Sequence, residues 1–332
     1  SSAELDHGEL RLTTVGPVFG NTAPYLRLAF VIEASDDALP LPSSLQVGSI
    51  PVPVSVAQWL GMRLIARAPR LQRESWREAL QETASAFHSL EIQPSFASAA
   101  FEWDRASLDR VSWNLQRGLV SPSAKEASKQ YSSKLRQTLR DLPSTQRAVA
   151  LSDLLPGLAN LAADRTQDGG NPVLENTALL YALSAHLAGR EGQQSDPEIR
   201  LRRRQDLAQH VVNSAAIAAV AGAELAEIIS TGKEAFDARY RSGFSFSDLT
   251  ANRAGIRLAE LATESHDSAR EFQRRLILLD GDDQLIPSVG DSRDGLSQRE
   301  FEAQYRDRSS SEYRERLSAI DFELSQLPLF SN

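Results

Sequence analysis

Residues 206–255 read DLAQHVVNSAAIAAVAGAELAEIISTGKEAFDARYRSGFSFSDLTANRAG. Asp206 and His210 stand four apart, one helical turn, and the residues that follow, 211–221, are almost all small or aliphatic. A helix that is apolar on every side has to be buried on nearly every side. The histidine entering it is therefore partly desolvated, with Asp206 placed to accept its Nδ1–H and hold one tautomer. That pattern serves a catalytic or ligating histidine, and equally a structural one satisfied in a core. A second helix runs from Glu224 to about Tyr240, with Lys233-Glu234 near its end and Asp237 one turn on. A carboxylate there faces the negative pole of the helix dipole, so its proton affinity is expected to rise. Glu234 is thus the candidate general acid, unless Lys233, Arg239 and Arg241 merely neutralise it at the surface.

The turn Gly243–Ser247 then opens a third helix, Ser247–Thr263, with Ser245 or Ser247 as its N-cap. Asp248 in the first turn suits the positive end of that helix. Asn252 follows one turn later on the same face, and Gly255 and Ala259 continue a smooth strip that a second helix can approach closely. The expected site gathers His210, Glu234, Asp237, Asp248 and Asn252 where three helices end, with Asp206 orienting the imidazole.

Working outward, residues 8–15 and 25–33 alternate apolar and polar side chains and read as half-buried antiparallel strands. The segment Gly16–Asn21 reads as their turn. Residues 45–50 make a third strand, which Pro51 and Pro53 confine to an edge or end. From Val54 to about Leu90 the spacing turns helical, through Val56, Leu60, Leu64 and Ile65, then Leu71, Trp76, Leu80 and Phe87, with His88 at the helix end. Residues 95–103 return to the sheet. A polar stretch, 116–148, keeps a thin stripe of Tyr131, Leu135 and Leu139 and reads as an exposed bridging helix. Beyond it come helices at Ala148–Ala163 and Val173–Ala188, the latter stopped by Gly189, and a charged amphipathic tail over Ser297–Leu327. The expected fold is α+β: a strand-rich domain with packed helices over 1–115, the bridging helix over 116–148, and an all-helical domain over 149–332 that carries the site.

Composition narrows the function classes. The 332 residues are 41% hydrophobic and 24% charged, as in soluble globular proteins. No apolar run approaches the roughly 18 residues of a membrane span. Net charge is −8, and lysine occurs only at positions 125, 129, 134 and 233, which argues against a nucleic-acid partner. The one basic run, Leu201–Arg204 with Arg200 before it, is explained by a solvated or ion-paired helix start. With no cysteine, thiolate zinc sites, disulfides and cysteine nucleophiles are excluded. The five histidines are scattered without metal-ligand spacing, so no metal and no cofactor is expected. Asp280-Gly-Asp-Asp falls short of a calcium loop and reads as a surface turn. Serine-triad catalysis has no Gly-x-Ser-x-Gly elbow to support it. The chain begins Ser-Ser, and its sole methionine is Met62, so a tag, signal peptide or anchor is expected to have been removed upstream.

The stretch GELRLTTVGPVFGNTAPYLRLAF, followed by LQVGSIPVPVSVAQWL, resembles an uncharacterised family of bacterial envelope proteins over roughly residues 5–115. That resemblance implies a periplasmic protein tied to the inner membrane by an N-terminal anchor. Residues Asp206, His210, Lys233, Glu234, Asp237, Phe246, Ser247, Asp248, Asn252 and Gly255 match a D-x-x-x-H…K-E-x-x-D…F-S-x-x-D-L-x-A-N-x-x-G pattern similar to VanZ-like proteins and small bacterial lipoproteins. More loosely, ELAEIISTGKEAFD resembles the helix end on which lytic transglycosylases and other lysozyme-like glycosidases present a catalytic glutamate. This last resemblance implies that Glu234 protonates a glycosidic oxygen while Asp248 acts as base or stabiliser. Two expectations follow: a hydrolase or lytic enzyme acting on peptidoglycan or another envelope glycan, or a non-enzymatic binding or scaffold protein whose polar residues tie three helices together.

Overall fold

The structure is a computed structural model. It describes residues 2–6, 9–19, 22–34, 42–47, 50–52, 55, 87–93, 96–101, 113–114, 116–189, 196–227, 229–231, 243–289, 295–308 and 310–331. The chain divides into two compact units, Ser1–Asn114 and Leu115–Asn332. Strands and helices are both present, with helices predominating.

In the first unit, β1 (Ser2–Asp6), β2 (Glu9–Phe19), β3 (Thr22–Glu33), β4 (Pro42–Val47) and β5 (Ile50–Val52) form one antiparallel sheet in sequence order. Alternation sets the register, with Leu10 opposite Ile32 and Leu12 opposite Phe30. The expected turn at Gly16–Asn21 is mostly strand: Gly16 to Phe19 continue β2, with a slip in register between Pro17 and Phe19. A second correction concerns Phe87–Gln93, which forms β6 and pairs with β7 (Phe96–Phe101) instead of ending a helix. Leu90 and Ile92 alternate with Ser89, Glu91 and Gln93, and this period of two prevails over the helical spacing that Phe87 shares with Leu80. His88 is accordingly an exposed strand residue. Apart from Ser55, the helical reading of residues 54–86 lies outside the described residues.

The second unit begins with α1 (Pro122–Arg140), whose N-cap Ser121 accepts the Ala124 amide at 3.1 Å. This helix occupies the stretch expected to bridge. Its Tyr131, Leu135 and Leu139 are buried within the unit, and only its polar side faces solvent. Next come β8 (Ala148–Ala150), α2 (Leu151–Gln167), α3 (Pro172–Leu187) and β9 (Glu198–Arg200). Asn171 caps α3 through the Val173 and Leu174 amides, with Pro172 at the first helical position. Strands β8 and β9 pair in parallel, burying Val149 and Ile199, so the second half is not all-helical as expected. Three-residue strands are too short to show a period, and Ala148-Val-Ala reads as the start of the apolar helix behind it.

After β9, Leu201 and Arg204 exchange backbone hydrogen bonds at 2.9 Å across a two-residue turn. Arg202 and Arg203 sit there in the left-handed region, with φ of 47° and 67°. Such a backbone costs an L-residue about 1–2 kcal/mol, and its neighbours hold it in place. The Arg202 amide donates to Asp282 Oδ2 at 2.6 Å, the Arg202 guanidinium donates to the Ile286 carbonyl, and Ser152 donates to Asp282 Oδ1 at 2.8 Å. Asp282 belongs to the segment expected to be a plain surface turn; here it pins another turn from 80 residues away.

The turn launches α4 (Gln205–Ala221). Helical backbone resumes at 223–227 and 229–231, followed by α5 (Phe246–Thr263), α6 (His266–Ile277), a 3-10 turn at Asp282–Gln284, α7 (Gln298–Tyr305) and α8 (Ser311–Ser325). The charged tail is therefore two helices. Arg253 on α5 takes Asp321 of α8 in a fork at 2.8 and 2.6 Å and donates to Glu227 at 2.6 Å. Leu151, Leu179, Leu183, Leu207 and Phe272 are fully buried at the centre, each such side chain contributing about 1.5–3 kcal/mol.

Where helices meet, charges are buried too. Glu175 of α3 accepts from Tyr131 of α1 at 2.8 Å and from both Nε and Nη2 of Arg165 of α2, at 2.7 and 3.0 Å. Burial, with the Glu175 carboxylate beside it, pushes the Tyr131 phenol far above its ordinary range. One carboxylate thus fastens three helices.

Candidate functional site

Helices α4 and α5 approach at Gly255, where a Cβ would stand 2.2 Å from the Val211 carbonyl oxygen and 3.0 Å from the Ala215 amide. The close approach expected along the strip of Gly255 and Ala259 occurs at Gly255. It sets the distance at which polar side chains on the two helices meet. Ser245 caps α5 by accepting the Asp248 amide at 3.0 Å, and this aims Asp248 back toward α4.

The structure brings His210, Asp248 and Asn252 together. His210 is buried, with Nδ1 3.0 Å from Asn252 Oδ1 and Nε2 3.3 Å from Asp248 Oδ2. Asp248 Oδ1 lies 3.2 Å from Arg204 Nη2, and the same guanidinium holds Asp206 at 2.7 Å. Ser214, one turn beyond His210, donates to Asn252 Oδ1 at 2.8 Å and lies 3.3 Å from the Ser230 hydroxyl, which donates to the Ala226 carbonyl. The result is a chain running Arg204–Asp248–His210–Asn252–Ser214–Ser230.

Asp206 does not take the role expected of it. Its carboxylate faces Arg204 and accepts the Leu207 amide at 3.0 Å, while Asn252, 42 residues away in sequence from His210, accepts at Nδ1. A first-turn carboxylate that satisfies its own helix end and a preceding arginine is turned outward; the Asp206 side chain is 49% exposed. Burial works to raise its proton affinity, but the Arg204 hydrogen bond and charge and the Leu207 amide outweigh it and hold the carboxyl below its ordinary value. Glu234, Asp237 and Lys233 lie outside the described residues, so the separation of Glu234 from Asp248 is not on view.

Chemically, the cluster is occupied with itself. With Nδ1–H donated to Asn252, a proton on Nε2 makes the 3.3 Å approach to Asp248 an ion pair. Either way, both ring nitrogens face partners and neither is left to abstract a proton from a ligand. Both Asp248 oxygens are engaged as well. Asn252 Nδ2 is buried without a partner, which costs about 1–3 kcal/mol. Among the described residues no group of three or more histidines and carboxylates is set to hold a metal ion, and no helix is long and apolar enough to cross a membrane.

Arg204, Ser214 and Ser230 were missed in the sequence as members of the cluster. Ser214 had a signal: it stands four residues after His210 on the same helical face. Arg204 lay inside a basic run whose ion-paired explanation was the right one, although its second partner, Asp248, is 44 residues distant. Comparisons of the chain with protein-family models, with curated proteins and with solved structures gave no match.

Proposed function

We propose that the protein is a non-enzymatic binding or scaffold protein of the cell envelope, in which the His210 cluster is a tie between α4 and α5. On this reading a strand-rich first domain is followed by a predominantly helical second one, with the chain held at the periplasmic face of the inner membrane by an N-terminal anchor. The envelope assignment draws on the resemblance of residues 5–115 and 206–255 to envelope proteins. One observation carries the non-enzymatic part: both ring nitrogens of His210 and both carboxylate oxygens of Asp248 face Asn252, Arg204 or each other, and the Asp206 carboxylate is taken by Arg204 and the Leu207 amide. A general base needs an accessible lone pair. Asp248, 16% exposed at its side chain, is enclosed between a guanidinium and an imidazole.

The test is digestion of purified peptidoglycan and soluble periplasmic glucans by the wild type and Glu234→Gln, with products read by mass spectrometry. No fragments are expected from either protein. Fragments released by the wild type and lost in the variant would replace this reading with a glycan-cleaving enzyme that uses Glu234 as its acid.

A further inference from the structure

We propose that the groove between the C-terminal end of α1 and the β8–β9 ribbon binds a small ligand carrying a carboxylate or phosphate group, gripped by Arg140 and Arg147. The groove encloses about 460 Å³, within the range of small-molecule sites. Leu139, Pro143 and Pro197 are among its lining residues. Three guanidinium groups, Arg140, Arg147 and Arg200, meet two carboxylates there, Asp196 and Glu198. That balance is positive, on a chain whose net charge is −8.

The arginines are not equivalent. Arg200 is committed to Glu198 through Nε at 2.9 Å and Nη2 at 2.5 Å. Arg140 gives only its Nε, to the Arg136 carbonyl at 3.2 Å, and keeps both terminal nitrogens. Arg147 uses its backbone, whose carbonyl accepts the Glu198 amide at 3.0 Å, while its guanidinium makes no hydrogen bond or ion pair among the described residues. Neither guanidinium is paired with a carboxylate among the described residues, so an anion entering the groove meets two uncommitted cations. The planar fork suits a carboxylate or phosphate, which it meets with two parallel hydrogen bonds. The backbone under Arg147 is fixed by the β8–β9 pairing and by Gln146, whose side-chain amide donates to the Ala148 carbonyl at 3.1 Å. The strand that follows Arg147 is therefore set before a ligand arrives, and the groove is separate from the His210 cluster and independent of its role.

Calorimetric titration of the whole protein at low ionic strength, with inorganic phosphate in one arm and citrate in the other, tests the proposal. Binding is expected in at least one arm, and the arm that responds assigns the anion. Arg140→Gln/Arg147→Gln should weaken it about tenfold or more, and added salt should weaken the wild type progressively. Arg314→Gln, an exposed arginine on α8, should bind as the wild type does. The melting temperature of each variant, read by circular dichroism, separates a lost site from a lost fold, and Arg147→Lys keeps the charge while removing the fork. Absence of heat in both arms with the wild type, or undiminished binding by the folded double variant, overturns the proposal.

Discussion

At the junction of α1, α2 and α3, a single carboxylate, Glu175, collects three hydrogen bonds from two partners and is almost fully enclosed. At the junction of α4 and α5, two carboxylates share Arg204, an imidazole joins one of them to an amide, and the amide keeps a buried nitrogen without a partner. The first arrangement is concentrated and fully satisfied; the second is strung out and incomplete. A buried charge is tolerated when its hydrogen-bonding capacity is met, and half-met networks forfeit much of their worth. The Glu175 knot should accordingly be the stronger fastening and the His210 chain the weaker one.

The sharpest way to break the comparison is Glu175→Ala. It leaves the Tyr131 hydroxyl buried without an acceptor and Arg165 without its charge partner, for an expected loss of about 3 kcal/mol in urea unfolding. Next is Gly255→Ala. Helix propensity alone predicts a gain of about 1 kcal/mol, but the new Cβ meets the Val211 carbonyl at 2.2 Å. A net loss of about 2 kcal/mol is expected, and an increase in stability would show that the two helices are free to separate. Asp248→Asn keeps the shape and removes the charge facing Arg204 and His210. Its cost should be about 1 kcal/mol, well below that of Glu175→Ala; equal costs would erase the distinction between the two seams.

The smallest effect concerns acid. The folded-state carboxyl of Asp206 is depressed, so its contribution is present above the ordinary carboxylate range and is lost as pH falls through the depressed folded value. The sign therefore requires Asp206→Asn to flatten part of the wild type's loss of stability on acidification. Because the side chain is half-exposed, the change should be slight, visible only in paired denaturation series from neutral pH downward.

What the sequence disclosed follows a physical division. Features written within one turn of chain were legible: the N-cap before Asp248, the stop at Gly189 and the close-approach glycine on α5. The His210 partnership was legible only in part. Asp206 at i−4 was the local candidate, whereas the acceptor at Nδ1 is set by how two helices are phased against each other, and nothing within either helix states that. The β8–β9 ribbon is too short to carry a period, and Phe87 satisfied two periods at once. Asp282 looked like surface because its two acceptors are spent on residues 80 and 130 positions away.

The Arg202–Arg203 turn acts as an index mark for α4. Since an α-helix advances by about 100° per residue, one residue inserted between β9 and α4 would leave Asp282 gripping the same turn while rotating the helix by that angle. His210 and Ser214 would then leave Asn252 together for the positions opposite Gly255 that Val211 and Ala215 hold, and Gln209 would take the place facing Asn252. The left-handed backbone at two arginines is thus where the azimuth of the whole α4–α5 pair is set.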